Sequence, residues 1–428
     1  MEASFWLMDE FAATNHGDEP LRVIEVDFRE DARWLDFVSS HPDALIYHHP
    51  GWLSALESEY GHRCVALACE NSKSQLEAVL PLLSTRGLPL RLTRSRSGRR
   101  LSSLPRTPLT GPLATNNRAL KAVLEAAVQR AQRQPNTQLE IKTLIAGLDK
   151  IVPELTCVPW RDTFMRSLPN DELAKSDGLN ESGREVRDCP PCDTCRQLSF
   201  GNSRDNHQIK WAVKKALKQG VSIRVAQSES DLKEWYKLYL EVMRRNVVPP
   251  RPLRFFQHLR HDLETSGNFV LYLTEKVTPG CDAVEASDAE ATANENPLVS
   301  TALVSGSILL QFSRTAFWAF TGSNESAFRL HANDLALLHC IWGSCRQGFR
   351  VFDLGEVAEE HPELFQFKLK WGTSPVPMYR YYYPAPESNA EQFANAEPGA
   401  LRRLADLIWR RLPLNLIALL GDWIYSYL

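Results

Sequence analysis

FWAFTGS (317–323), NDLALLHCIWGSCRQG (333–348) and FRVFDLGE (349–356) follow one another closely, and together they read as strand, helix, strand. The middle segment opens on Asn333 and Asp334, residue types that suit a helix N-cap, and it stops at Gly348, a residue suited to a C-cap. The last segment is an apolar run ending in Asp353, Gly355 and Glu356, which predicts a buried strand with acids at its carboxyl end. Upstream, NHQIKWAVKKALKQG (206–220) and ESDLKEWYKLYLEVMRRN (229–246) are amphipathic helices, and FFQHLRHDLE (255–264) is a third. NFVLYLTEK (268–276) and VSTALVSGSILLQ (299–311) are strands, and YRYYYP (379–384) is the last strand downstream.

The first half repeats this order. LRVIEVDF (21–28) alternates as a strand, helices follow over 31–42 and from Pro50, CVALACE (64–70) and LEAVLPLLST (76–85) form a hairpin, and a periodic helix over 117–134 leads to the strand QLEIKTL (138–144). The fold class expected is therefore α/β (α+β), two tandem domains with mixed central sheets flanked by helices. The boundaries are a leader over 1–20, a first domain over 21–169, a polar insertion over 170–198, a second domain over 199–386 and a tail over 387–428. An acidic loop over 276–298 interrupts the second domain, with five acids against one lysine.

With 428 residues the chain is long enough for more than one core, and its formal charge of −3 gives no global attraction for DNA or an anionic surface. Positive charge is local. Seven arginines and no acid lie in 86–106, and Arg204, His207, Lys210 and Lys214 share the basic side of the 206–219 helix. Nine scattered cysteines and an acidic N-terminus without a signal-peptide pattern predict a cytoplasmic protein with reduced thiols. Cys189, Cys192 and Cys195 form a C-x2-C-x2-C triplet, but a structural zinc site needs four ligands, so no metal is expected. His48 and His49, before Pro50, are expected to cap and pack.

The runs IKWAVKKALKQGVSIRVAQSESDLKEWYKLYLEVMRRNVVPPRPLRFF (209–256), FWAFTGS, FDLGE and FQFKLKWGTSPVPMYRYYY (365–383) resemble the FemAB-like, or BioF2-like, acyltransferases of the GNAT superfamily. IYHHPGWLSALESEYGHRCVALA (46–68) resembles the first domain of that family in the same way. The resemblance implies two GNAT-like domains in one chain and an enzyme, an acyltransferase acting on an amine of a cell-envelope or exopolysaccharide precursor. The co-substrate implied is acyl-CoA or aminoacyl-tRNA, with no tightly bound cofactor, and the acceptor an amine-bearing precursor that is lipid-linked in some members. A non-catalytic binding or assembly protein keeping the double fold is the other expectation.

Transfer to an amine needs a proton acceptor, a polarised carbonyl and fixed geometry, and no covalent nucleophile. Asp353 and Glu356, at the carboxyl end of a strand, suit the acid–base and substrate-binding tasks. The resemblance places Lys368 on the lysine of the family's FK motif, where it would neutralise phosphate or polarise a carbonyl; Trp371 follows it. Tyr381 shares one strand face with Tyr379 and Tyr383 and is the candidate acid. The Gly-rich loop by which GNAT domains cradle a CoA pyrophosphate is missing from SNESAFRLHAND (323–334), which weakens CoA as donor. The tail, ALRRLADLIWRRLPLNLIALLGDWIYSYL (400–428), suits either packing against the second domain, the favoured expectation, or peripheral contact with the inner face of a membrane.

Overall fold

A computed structural model describes residues 20–86, 99–169, 198–278, 300–358, 361–386 and 400–425. The Cys189, Cys192 and Cys195 triplet, most of the arginine-rich segment and most of the acidic loop lie outside the described residues.

The first half contains β1 (Arg22–Val26), α1 (Ala32–Ser40), α2 (Pro50–Tyr60), β2 (Cys64–Glu70), β3 (Leu76–Arg86), β4 (Arg99–Ser102) and β5 (Leu113–Ala114), then α3 (Asn117–Gln132), β6 (Thr137–Thr143), α4 (Leu148–Ile151) and β7 (Thr156–Ser167). In the second are α5 (Ser203–Lys218), β8 (Val221–Val225), α6 (Glu229–Asn246), α7 (Leu253–Leu263), β9 (Phe269–Thr278), β10 (Ser300–Phe312) and β11 (Thr315–Ser323). It continues with α8 (Glu325–Arg329), α9 (Ala332–Arg346), β12 (Val351–Glu356), α10 (Pro362–Lys370) and β13 (Ser374–Tyr383). Two helices, α11 (Ala400–Arg411) and α12 (Leu414–Tyr425), end the described chain.

Local chemistry explains most boundaries. Pro50 opens α2 behind His49, whose Nδ1 accepts from Gly51 N at 3.0 Å, and Gly61 closes it at φ +66°. His48 is buried, with its ring nitrogens within 3.1 Å of Leu45 N and 3.0 Å of Gly111 O. Asn202 with Asp205, and Ser228 with Asp231, form reciprocal capping boxes on α5 and α6. One expected cap is corrected: α9 begins at Ala332 behind His331, so Asn333 and Asp334 sit in its first turn. FQFKLKWG lies mostly in a helix, because Pro362 supplies an N-terminal start and the chain turns only at Gly372, φ +73°.

The described strands form one sheet, in the order β1-β2-β3-β4-β6-β13-β7-β12-β11-β10-β9-β8, with β5 beside β3. The last strand leaves its own half and lies between β6 and β7 of the first, antiparallel to both. On one face α1, α2, α6 and α7 share a core that includes Trp34, Trp52, Leu56, Trp235, Phe255 and Phe256. On the other face α3 covers the first half, and α5 with α9 covers the second. Burying one large apolar side chain stabilises by roughly 1.5–3 kcal/mol, so the shared core fastens the halves to each other. Arg251 and Glu59 add an ion pair sealed inside it, with Arg251 also donating to Arg106 O at 2.7 Å. Among the described residues no helix is long and apolar enough to cross a membrane.

Candidate active site

Two parallel strand pairs stand at the middle of the sheet. β4 and β6 pair from Arg99↔Thr137 to Ser102↔Glu140. β11 and β12 pair from Thr315↔Val351 to Phe317↔Asp353, and there the pairing stops, although β11 runs on to Ser323. Among the described residues no strand pairs with that continuing edge of β11.

The strands part because β12 bulges. Its register against β7 shifts between Asp353 and Glu356, and Gly355 sits at φ +78°, a conformation that strains any residue with a Cβ. Asp353 Oδ1 fixes the bulge by accepting from Gly355 N at 2.7 Å and from Thr163 Oγ1 at 2.8 Å. From α10, Lys368 Nζ donates to the carbonyls of Leu354 (2.7 Å), Gly355 (2.9 Å) and Glu356 (3.0 Å). An ammonium has three N–H donors, and these carbonyls take all of them. Lys368, expected near a phosphate or a carbonyl of the substrate, here holds the end of β12. Burial lowers its pKa to about 8.

Asp353 is 5% exposed, and burial raises its pKa to about 6, against the lowering effects of Gly355 N, Thr163 and Lys368. Its Oδ2 makes no hydrogen bond among the described residues. A carboxyl that changes charge near neutrality and keeps one oxygen free is suited to accept a proton.

Tyr47 faces this fork from the first half. Its ring makes edge contacts with Trp52 (4.8 Å between centroids) and with Phe317 (5.6 Å), the last paired residue of β11. It is 3% exposed, yet among the described residues its hydroxyl has no hydrogen-bond partner. Burial first, then the carboxylates of Asp353 and Glu356, push its pKa up, with Arg251 opposing. A buried hydroxyl without a partner costs about 1–3 kcal/mol, and an incoming acceptor would relieve that. Nothing in IYHHP singles out this tyrosine, because its position follows from packing across the two halves.

The other candidates divide. Glu356 borders the fork, half-buried, accepting from Trp160 Nε1 at 3.1 Å with Arg161 at 4.0 Å. Beside it lies a cleft of about 330 Å³ lined by Trp160, Arg161, Asp162, Phe164, Phe365 and Gln366 among others. Tyr381 is not brought there. It is fully buried beneath α3, where its hydroxyl donates to Ile145 O at 3.0 Å and accepts from Leu148 N at 3.3 Å. Trp371 is also fully buried, against Phe200, and offers no surface to a substrate. Arg204, His207, Lys210 and Lys214 are exposed on the outer side of α5. That helix meets the start of α9 where Trp211 contacts the His331 ring at 5.3 Å, with Lys215 Nζ 4.8 Å above the indole. In the first turn of α9, Asp334 lies 3.6 Å from Lys370 and 3.4 Å from His331, so the position where a phosphate would meet a helix N-terminus already carries an acid.

At the β4–β6 pair the chain itself closes the gap. Ser103 N donates to Glu140 O at 2.8 Å, Lys142 N to Ser103 Oγ at 2.8 Å, and Lys142 Nζ to the carbonyls of Leu104 (2.7 Å) and Thr107 (3.0 Å). Glu140 accepts from Arg380 at 2.8 Å and Tyr382 at 3.3 Å, with Arg100 at 3.9 Å. Burial pushes its pKa up, but Lys142, Arg380 and Arg100 outweigh that and hold it below the usual value.

Residues 298–366 match the Acetyltransferase (GNAT) domain family, a span that runs from β10 across the fork into α10. No curated protein matches the sequence. The crystal structure of FemX is similar over 87% of this chain and 99% of its own, at a TM-score of 0.59 and 14% identity. The C-terminal domain (DUF2156) of a putative lysylphosphatidylglycerol synthetase from Agrobacterium fabrum covers 85% of this chain and 92% of its own, at a TM-score of 0.49 and 10% identity. A tandem GNAT protein from the clavulanic acid biosynthesis pathway covers 86% of this chain and 100% of its own, at 0.44 and 12%. Residues 298–366 thus resemble a GNAT acetyltransferase domain, within a fold that the chain shares with FemX, and the resemblance to the FemAB-like acyltransferases holds at the level of that fold.

Proposed function

We propose that this protein transfers an acyl or aminoacyl group to an amine of a cell-envelope or exopolysaccharide precursor, with the reacting carbonyl held in the fork between β11 and β12. The observation that carries the reading is the fork itself, which ends on a buried carboxyl with a free oxygen. The unpaired edge of β11 offers backbone groups to an amide-containing donor. Asp353 Oδ2 takes a proton from the attacking amine as the new C–N bond forms, and the bond from the acyl carbon to its oxygen or sulfur carrier breaks, with the carrier taking up a proton. Tyr47 donates a hydrogen bond to the acyl oxygen, which gains negative charge as the amine adds. The first half, which supplies Tyr47, forms one wall of the acceptor groove.

Aminoacyl-tRNA is the donor we favour over acyl-CoA. Asp334 repels a pyrophosphate at the start of α9, whereas Arg204, His207, Lys210 and Lys214 beside the exposed Trp211 suit a phosphate backbone with bases to stack. The test is direct. The protein is incubated with labelled aminoacyl-tRNA or with acetyl- and longer acyl-CoAs, together with amine-bearing nucleotide-linked and lipid-linked precursors, and label in the precursor is measured. Transfer from aminoacyl-tRNA, abolished by Asp353→Asn, is expected. If no donor raises the unfolding temperature and no label moves, the enzyme reading fails and a non-catalytic assembly protein takes its place.

A further inference from the structure

The cleft of about 330 Å³ beside Glu356 has a chemistry of its own. Its walls come from β7, from the chain just after β12 and from the first turns of α10. Phe164 and Phe365 close one side, their rings edge to face at 5.0 Å between centroids, and Val357 and Trp160 extend the apolar surface. That part suits hydrocarbon, and the volume falls within the range of roughly 300–1,000 Å³ usual for small-ligand sites.

Two polar side chains line the cleft with no hydrogen-bond partner among the described residues, the half-buried carboxylate of Asp162 and the amide of Gln366. The backbone fixes Asp162, whose carbonyl accepts from Val357 N at 3.3 Å and which stands opposite Pro377 of β13. The cations around the cleft each have an acid of their own. Arg161 lies 4.0 Å from Glu356 and 5.1 Å from the Trp160 ring centroid. Arg380, 3.4 Å from the same centroid, donates to Glu140. Lys368, 5.5 Å from the Phe164 ring centroid, gives its donors to three carbonyls and has Asp353 as its countercharge. Asp162 is left over, without a cation among the described residues, and Glu363 in the first turn of α10 has the same sign. An anion entering here would meet that surplus carboxylate, whereas an ammonium would find in it a charge-assisted acceptor.

We propose that this cleft binds a primary ammonium carried on an aliphatic stem. The Asp162 carboxylate and the Gln366 side-chain oxygen accept from the ammonium, and Phe164, Phe365 and Val357 take the methylenes. Such a group arrives beside the fork either as the side chain of a basic aminoacyl donor or as the amine of the acceptor. Its use in transfer rests on the acyl-transfer reading, whereas the site rests on the cleft alone.

The full chain is titrated with Nα-acetyl-lysinamide and with Nα-acetyl-norleucinamide, which lacks the side-chain ammonium, and binding is followed by ligand-observed NMR. The lysine derivative is expected to bind about tenfold tighter or more, and to weaken as salt is raised. Asp162→Asn should erase that difference at an unchanged unfolding temperature, and Asp162→Lys should abolish binding of the lysine derivative. Equal binding of the two amides, or an Asp162→Asn protein that still separates them, overturns the proposal. Label transfer then locates the source. A preference for lysyl-tRNA over alanyl-tRNA that Asp162→Asn erases assigns the ammonium to the donor. A preference for an acceptor amine on a long aliphatic stem over one on a sugar ring, erased in the same way, assigns it to the acceptor. Transfer with neither preference overturns the proposal as well. Selective binding of the lysine derivative without any label transfer would sink the acyl-transfer reading and leave the ammonium site standing.

Discussion

β4 against β6 and β11 against β12 each run parallel for a few residues and stop at a buried acid, Glu140 in one and Asp353 in the other. Each site also has a buried lysine that spends its N–H groups on backbone carbonyls. Lys142 draws the 104–107 loop over the first gap, whereas Lys368 holds the bulged end of β12 away from β11 and leaves the second gap open. The charges differ in the same sense. Lys142, Arg380 and Arg100 hold the Glu140 carboxyl below its usual value, while burial raises that of Asp353 to about 6. One gap is filled by the chain's own loop, and the other stays open beyond Phe317↔Asp353.

That comparison is broken most directly by exchanging the acids for their amides. Asp353→Asn keeps an oxygen for Thr163 and Gly355 but removes the proton acceptor, so transfer should fall by about 10²–10⁴-fold with the fold intact. Glu140→Gln should do the reverse: transfer within a few-fold of wild type for the protein that remains folded, but a stability loss of about 3–5 kcal/mol because Arg380 is left without its carboxylate, read by denaturant unfolding.

The pH dependence should also run in opposite directions. Asp353 binds its proton more tightly folded than unfolded, so stability it contributes at low pH is lost as pH rises through about 6, an effect of about 3 kcal/mol at most. Asp353→Asn should therefore flatten that part of the stability profile, and the acid limb of the wild-type pH–rate curve should fall near 6. Glu140, shifted down, contributes stability above its ordinary value that is lost as pH falls. Tyr47→Phe should lower turnover about tenfold or more without lowering the unfolding temperature, since the hydroxyl removed has no partner among the described residues. The smallest effect is expected of Gly355→Ala, about 1–2 kcal/mol from its positive φ, together with loss of transfer if the bulge straightens and the fork closes. Retained transfer with a closed fork would separate the chemistry from the opening.

Much of this fold was legible in the sequence because periodicity, caps and repeated element order are local signals. FDLGE and FKLKWG meet at the fork, where Asp353 and Lys368 both bind the backbone of the β12 bulge. Their division of tasks was not legible. Nothing local announces that Lys368 spends its donors on the carbonyls of Leu354, Gly355 and Glu356. Tyr381 and Trp371 misled because aromatic residues on strands and turns look alike whether they line a cleft or fill a core. Tyr47 was invisible because its meaning depends on Phe317, 270 positions away in the chain. The placement of β13 was hidden for the same reason: strand alternation says which side chains are buried, not which neighbours they meet.

That placement governs how the protein can come into being. Tyr381 closes the Ile145–Leu148 turn, and Arg380 neutralises Glu140, so the first half receives its central strand from the last part of the second. During synthesis the leading half must wait, with the seat between β6 and β7 empty, until the ribosome has delivered residues 374–383. With β13 seated between β6 and β7, the two halves are joined in one continuous sheet.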